Sequence, residues 1–500
     1  MHNKRLAFCV WTLSLISAAI TGLSFFLEKS FGLVSMSSII FTLRTSHMSI
    51  ENSMKLRFIA YLITSFVLIL SALFIFVYHH SIKTLVGLRI RNRFYKFTII
   101  PLDIKLSIII TISLFIVSLY NLDRCCALNN YIRMRLQTSK IYEKYYISPK
   151  ITEITFPAKK RNLILIYLES MENTFLSKQR GGALDYNLIP ELDELASKNY
   201  NFSQTSGIGG PINPYGTGWT IGAIFASTSG LPLCLPIEGN SYSGYGSFAP
   251  GAYTLGDILQ QQKYNLTFLV GSDSTFAGRK DYMLYHGNYR VLDVNTAERD
   301  KIIPKGYRVW WGYEDKYLFK YAKNELKQLD GKGAPFMLSM LTVDTHHIGG
   351  YKCDLCQNKY EENLENVVAC SSRQLGAFVQ WIQKQKFYKN TTIVLIGDHL
   401  SMDPEYFNRF PETFERRVYN VFINPSLAPK KLKHREFTTF DLFPTILASI
   451  GVKIKGNRLA FGTNLFSGER TLVEKIGIDT LNKELSKYSS FYEDRILCIK

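Results

Sequence analysis

Three apolar runs, far apart in a 500-residue chain, each end in residues able to do acid, base or metal chemistry. Thr392-Ile393-Val394-Leu395-Ile396 leads into Gly397-Asp398-His399. Asn162-Leu163-Ile164-Leu165-Ile166-Tyr167-Leu168 leads into Glu169-Ser170. Phe336 to Val343 leads into Asp344-Thr345-His346-His347. Each run is short, apolar and bounded, as a buried strand of a parallel sheet should be. Ligands of open α/β sheets sit beyond the carboxyl ends of the strands. One acidic ending carries little weight, but three imply a single polar site at one sheet edge.

A fourth stretch supplies a nucleophile. Ser206 to Gly218 is glycine-rich, and Trp219-Thr220-Ile221-Gly222-Ala223 continues it with small, helix-compatible residues. Such a loop entering a helix presents free N–H groups and the positive end of the helix dipole to an anion. Thr220 falls near that end. A threonine hydroxyl attacks poorly until a base or a metal activates it. A divalent ion held by Glu169, Asp398 and His399 would lower the hydroxyl pKa and offset charge on a phosphoryl oxygen. Carboxylate plus imidazole suits manganese, magnesium or zinc.

The elements that must position these groups alternate along the chain. From Arg161 onward, apolar strand candidates are interleaved with helical stretches such as Pro190–Lys198, Leu255–Gln262, Arg373–Gln385 and Leu442–Ile450. That alternation predicts an α/β fold with a mainly parallel central sheet flanked by helices over residues 161–500. No internal repeat or low-complexity tract interrupts it.

The N-terminal part reads differently. Leu6–Leu27, Phe58–Tyr78 and Leu106–Leu122 are uncharged and long enough to span a bilayer, whereas Phe31–Leu43 is too short to cross. Residues 1–122 are therefore expected to be a transmembrane region of about three spans, followed by a juxtamembrane linker over 123–160. The segment His79–Lys105 carries Lys83, Arg89, Arg91, Arg93, Lys96 and Lys105, which places it on the cytoplasmic side. Three spans then put everything after Asp123 outside. The formal charge of +18 follows the same division. Residues 1–150 hold 18 Lys/Arg against 5 Asp/Glu, and the remainder holds 41 against 36. The excess thus reads as topology and phospholipid contact rather than nucleic-acid binding, for which no motif is present. Cys353, Cys356 and Cys370 suggest a local disulfide in an oxidising compartment, its pairing open.

Taken in order, these motifs resemble the alkaline-phosphatase/sulfatase superfamily, in the membrane-anchored branch of lipoteichoic acid synthases and phosphoglycerol transferases. The residues carrying the resemblance are Leu168-Glu169-Ser170, Gly216-Thr217-Gly218-Trp219-Thr220, Phe276-Ala277-Gly278-Arg279, Thr342 to His347, Gly397-Asp398-His399 and Asp441-Leu442-Phe443-Pro444-Thr445. They extend over about residues 160–467. The resemblance implies that Glu169, Asp398, His399 and Thr220 hold one metal and that Thr220 is the nucleophile. Thr217 is the near competitor, but the G-x-G-x-T spacing favours Thr220. It further implies that His346 contacts the substrate and protonates the leaving group, and that Arg279 and His347 bind substrate. The synthases carry a Trp two residues before the Arg, where Ala277 stands here, so headgroup recognition must differ, with Phe276 as a substitute. Asp273 reads as an ordinary polar residue.

The reaction implied is transfer of phosphoglycerol from phosphatidylglycerol to an extracytoplasmic glycan through a phospho-threonine, at a bacterial cytoplasmic membrane. Three rival readings share much of the pattern. A phosphoethanolamine transferase would use the same core with another headgroup, though usually with more spans and disulfides. A sulfatase needs a C/S-x-P-x-R motif, and none lies near Thr220. A non-catalytic glycan-binding membrane protein would be expected to lack a metal ligand or the nucleophile.

Overall fold

The computed structural model describes residues 2–32, 36, 39–40, 52–77, 85–90, 93–98, 104–235 and 247–498. The chain divides into two compact units, residues 1–36 with 50–132, and residues 37–49 with 133–500.

The first unit contains the helices His2–Phe31, Asn52–Val77 and Ile104–Cys126, and an antiparallel hairpin pairing Leu85–Ile90 with Arg93–Thr98. Among the described residues, Phe8–Phe31 and Ile108–Cys126 are long and apolar enough to cross a bilayer. The expected span from Phe58 lies in the helix Asn52–Val77, and its last residue, Tyr78, lies outside the described residues. So does most of the segment from Phe31 to Leu43. The first and third helices of this unit are joined by Thr21 and Ser118 hydroxyls 2.9 Å apart and by an Arg124–Glu28 ion pair at 2.6 Å.

The second unit is built on a six-stranded sheet. Its strands are β1 (Asn162–Leu168), β2 (Asn265–Val270), β3 (Arg290–Leu292), β4 (Phe336–Leu341), β5 (Thr391–Gly397) and β6 (Asn420–Ile423). Their spatial order is β3-β2-β4-β1-β5-β6. All neighbours are parallel except β6, which pairs antiparallel with β5 at one edge. Every residue of β1, β4 and β5 is buried. These strands are covered on both faces, which explains why they read as continuous apolar runs. One face packs the helices Pro190–Lys198, Asp315–Gly331 and Asn363–Gln383 into a single core. On the other face, Tyr167 Oη lies 2.8 Å from Ser227 Oγ of the helix Thr220–Ser229.

Two details depart from the reading of the sequence. The helix expected over Arg373–Gln385 starts ten residues earlier, at Asn363, because the apolar stripe Leu364, Val367, Val368 continues it toward the N-terminus. The segment 133–160 is also stitched onto the second unit. Ile154–Thr155 pairs with Lys453–Ile454, and Ile147 and Ala460 exchange both backbone hydrogen bonds. Buried Tyr142 packs 5.0 Å from Phe461 and 5.1 Å from Tyr492.

Candidate functional site

Register alone brings the first candidate ligands together. Leu168 of β1 pairs with Gly397 of β5, so Glu169 and Asp398 emerge side by side at the sheet edge. β4, which leads to His346, lies on the other side of β1. The turns after these strands are fixed by side chains. The Glu169 N–H donates to Thr342 Oγ1 at 3.0 Å, and Thr345 Oγ1 donates to the Glu169 carbonyl at 2.5 Å. Asp398 Oδ1 accepts the amides of Ser170 and His399, each at 2.8 Å. Asn213, absent from the sequence reading, donates to the Asp398 carbonyl at 3.2 Å and ties the glycine-rich loop to this turn.

That loop delivers Thr220 to the same place. Gly216 has φ +83°, and an added Cβ would lie 2.6 Å from Cys234 Sγ, so the turn requires glycine. The helix then starts at Thr220 and runs to Ser229. Its first N–H groups have no partner within the helix and face forward. Thr220 Oγ1 lies 3.4 Å from Glu169 Oε2 and 3.3 Å from His399 Nε2. Thr217 is fully buried, and its hydroxyl donates to the Pro214 carbonyl at 2.8 Å. Geometry therefore separates the two threonines: one closes a turn and the other faces the acids.

The three side chains form a candidate divalent-metal site. Ligand atoms of Glu169, Asp398 and His399 all lie within 4.8 Å of one another, and all three residues are buried. His399 Nδ1 is 2.9 Å from the Leu400 carbonyl. A carbonyl only accepts, so Nδ1 carries a proton, and the ring in its neutral form turns its Nε2 lone pair inward. That atom stands 3.5 Å from Glu169 Oε1 and 3.5 Å from Asp398 Oδ2. Asp398 Oδ2 is buried and has no hydrogen-bond partner among the described residues. Lone pairs facing lone pairs out of water call for a cation, and this mixed carboxylate and imidazole set suits a divalent one. The electrostatics agree. Burial and then the neighbouring Glu169 push the Asp398 carboxyl up to about 7. Burial disfavours the charged His399 ring, but Asp398 and Glu169 outweigh it and hold its pKa above the ordinary value.

The remaining predicted residues gather beside this cluster. Arg279 is buried at the start of the helix Arg279–Tyr285. It donates to the Phe276 carbonyl at 3.0 Å, to Ser272 Oγ at 3.0 Å and to the Asp273 carbonyl at 2.9 Å. Burial lowers its pKa to about 10, opposed by the charges of Glu169, Asp273, Asp293 and Asp398. His346 is half-buried, and its Nδ1 lies 2.7 Å from the His347 carbonyl, which makes Nε2 an acceptor in the neutral ring. Burial holds its pKa down at about 4. His347 is buried and stacks on His346, with ring centroids 4.6 Å apart. Asp273 closes a local turn by accepting the Thr275 amide at 2.9 Å. Cys356 is bridged to Cys370, and Cys353 Sγ lies 3.6 Å from Cys356 Sγ. Sequence reasoning missed Trp311, whose ring packs 4.7 Å from His346 and 5.5 Å from Phe276. Only the doubled Trp310-Trp311 in a polar stretch could have drawn attention to it.

A mainly parallel α/β sheet whose strand ends converge on a metal-type cluster, beside the hydroxyl of a helix's first residue, defines an enzyme-like site. A family model described as Sulfatase matches residues 161–452, and the chain belongs to that family. Its fold is sulfatase-like. It is 31% identical over 318 residues to phosphoglycerol transferase I of Xanthomonas campestris pv. campestris (strain B100), covering 62% of this chain and 43% of that protein. It is 30% identical over 334 residues to phosphoglycerol transferase I of Escherichia coli O139:H28 (strain E24377A / ETEC), covering 66% of this chain and 41% of that protein. The chain thus spans less than half the length of these relatives. The integral membrane protein lipooligosaccharide phosphoethanolamine transferase A of Neisseria meningitidis aligns with TM-score 0.50 at 13% identity, over 88% of this chain and 83% of that one.

Proposed function

We propose that this protein transfers phosphoglycerol from phosphatidylglycerol to an extracytoplasmic glycan through a covalent intermediate on Thr220. The observation that carries the reading is the Thr220 hydroxyl, set at a helix N-terminus within 3.4 Å of both Glu169 and His399. The likeness to two proteins named phosphoglycerol transferase I supports the choice of group.

Glu169, Asp398, His399 and Thr220 would hold one divalent ion, with manganese, magnesium or zinc all compatible with the donors. When bound, the ion supplies Lewis-acid charge that favours the Thr220 alkoxide and offsets charge on the phosphoryl group. Thr220 Oγ attacks the phosphorus, a new P–O bond forms, and the bond to diacylglycerol oxygen breaks. The threonine proton ends on that departing oxygen. Arg279 neutralises a second phosphoryl oxygen from a buried position, where its charge is poorly screened. A hydroxyl of the acceptor glycan then attacks, and Thr220 Oγ leaves with its proton restored. His346 presents an acceptor Nε2 and a low pKa. That suits it to take the proton of the incoming hydroxyl, more than to donate one to the first leaving group as the resemblance implied. His347 braces the His346 ring from behind.

The apolar N-terminal helices would anchor the chain in a bacterial cytoplasmic membrane as a multi-pass protein, with the catalytic unit outside. The Cys356–Cys370 bridge fits an oxidising compartment on that side.

The test uses purified full chain in detergent with fluorescent phosphatidylglycerol and manganese. Diacylglycerol release by the wild type, falling at least about 10³-fold in Thr220→Ala, is the expected outcome. A glycerophosphate adduct on the peptide containing Thr220 should accompany it in the wild type alone. Release from phosphatidylethanolamine and not from phosphatidylglycerol would transfer the reading to the other headgroup.

A further inference from the structure

Trp311 sits in a turn that the fold pins from both sides. Val309 and Gly312 exchange backbone hydrogen bonds at 2.7 and 3.0 Å, and the Tyr313 amide donates to the Gly271 carbonyl at 3.0 Å. An added Cβ on Gly312 would lie 2.0 Å from that carbonyl oxygen, so only glycine permits the approach. Three residues further on, Asp315 accepts the amides of Val343 at 2.8 Å and Asp344 at 3.2 Å. The turn is thereby fastened to the strand end that leads to Arg279 and to the strand end that leads to His346. Between them the Trp311 ring bridges Phe276 at 5.5 Å and His346 at 4.7 Å. Phe276 in turn lies under the Arg279 guanidinium at 5.3 Å. Trp311 remains half-buried, so part of its surface is open to a ligand.

We propose that Trp311, with Phe276, forms the wall that recognises the uncharged polyol portion of the donor headgroup. The proposal rests on the headgroup-transfer reading above and deepens it. A phosphodiester seated against Thr220 and Arg279 has one organic substituent beside His346. There a flat aromatic surface packs the C–H faces of a polyol while its hydroxyls stay wet or bond to His346 Nε2. An ammonium headgroup is disfavoured, because the Arg279 cation already occupies the neighbouring Phe276 face. The wall is assembled from residue 311, not from the position of Ala277.

The experiment is calorimetric titration of the manganese-loaded full chain in detergent with sn-glycerol 1-phosphate and, separately, with inorganic phosphate. The wild type should bind glycerol phosphate more tightly than phosphate. Trp311→Ala should weaken glycerol phosphate about tenfold and leave phosphate within about twofold, and Trp311→Phe should retain most of the preference. Phe276→Leu, which leaves the Gly312 turn untouched, should reproduce the selective loss if Trp311→Ala does not fold. Equal weakening of both anions, or no preference in the wild type, overturns the aromatic wall and leaves the transferase reading standing. Binding of neither anion by the wild type removes the phosphoryl site, and both proposals fall together.

Discussion

Two pairs of buried carboxyls stand at the same sheet edge, and they answer burial differently. Glu169 and Asp398 follow β1 and β5, while Asp344 follows β4 and faces Asp315. Each pair has one carboxylate oxygen that is buried without a hydrogen-bond partner among the described residues, Asp398 Oδ2 and Asp344 Oδ2. Each has a carboxyl held above the usual range by burial and by a like charge, Asp398 in one and Asp315 in the other, both pushed up to about 7. The difference lies in what converges on them. Asp315 and Asp344 are held by the amides of Val343, Asp344 and Asp315 itself. One shared proton then relieves the repulsion between the two carboxylates. Around Asp398, an imidazole lone pair and a threonine hydroxyl join two carboxylates. Burial of acids thus does not by itself make a candidate metal site; the convergence of carboxylate, imidazole and hydroxyl lone pairs does.

The largest expected effect separates the two pairs directly. Asp398→Asn should weaken manganese binding by more than about 100-fold, since even outer partners of ligands are worth about 10 to 100-fold, and transfer should fail with it. Asp344→Asn puts a neutral group of the same shape in place of a carboxyl that burial and then Asp315 raise well above the ordinary value. It should leave metal affinity within about threefold and stability within about 1 kcal/mol. Calorimetry and urea unfolding of both variants decide the matter. Equal loss of metal in the two would erase the distinction.

A smaller effect should appear as pH dependence. The folded-state pKa of Asp398 is raised above its unfolded value, so the folded metal-free chain binds more protons than the unfolded one between about 4 and about 7. Its stability must therefore fall as pH rises through that window. The Asp315–Asp344 pair, raised in the same sense, adds to the fall. A bound divalent ion removes the contributions of Asp398 and His399, because it displaces their protons, and leaves that of the Asp315–Asp344 pair. The Tm difference between loaded and stripped protein should widen from pH 5 to about pH 8. Asp344→Asn should flatten the metal-free curve and leave the widening in place. A Tm difference independent of pH would argue that Asp398 is not a ligand.

The legible and illegible parts of the molecule divide along the same line. Strand ends are local: an apolar run followed by Glu169 or by Asp398-His399 carries its own signal, and parallel register then places those groups together. Pairing of distant backbone is not local. Nothing about Asp315, in the first turn of an amphipathic helix, announces that it caps the amides after β4. Trp311 is positioned through contact of Gly312 with Gly271, some forty residues away in sequence. The tautomers of His346 and His399 depend on single carbonyls, those of His347 and Leu400, that no spacing rule predicts. The anchoring of residues 133–160, within the linker expected over 123–160, is not legible because its partners, Ala460, Phe461 and Tyr492, come more than three hundred residues later.

Ser170 gives the finest test of why one acid pair is a site and the other is not. Its hydroxyl donates to Glu169 Oε1 at 2.8 Å while its amide donates to Asp398 Oδ1 at 2.8 Å. It sits at φ 53°, a left-handed conformation that costs a non-glycine residue energy and is held here by those contacts. Ser170→Ala keeps the amide and loses the hydroxyl, leaving Glu169 free to rotate. Metal affinity should drop about tenfold with the fold intact. Ser170→Gly loses the same hydroxyl but relieves the backbone, so it should show the same affinity loss with higher stability than Ser170→Ala. The Asp315–Asp344 pair has no counterpart, because backbone amides orient it. If Ser170→Ala binds manganese as the wild type does, the carboxylates are preset by the strands alone, and side-chain orientation drops out of the distinction between the two pairs.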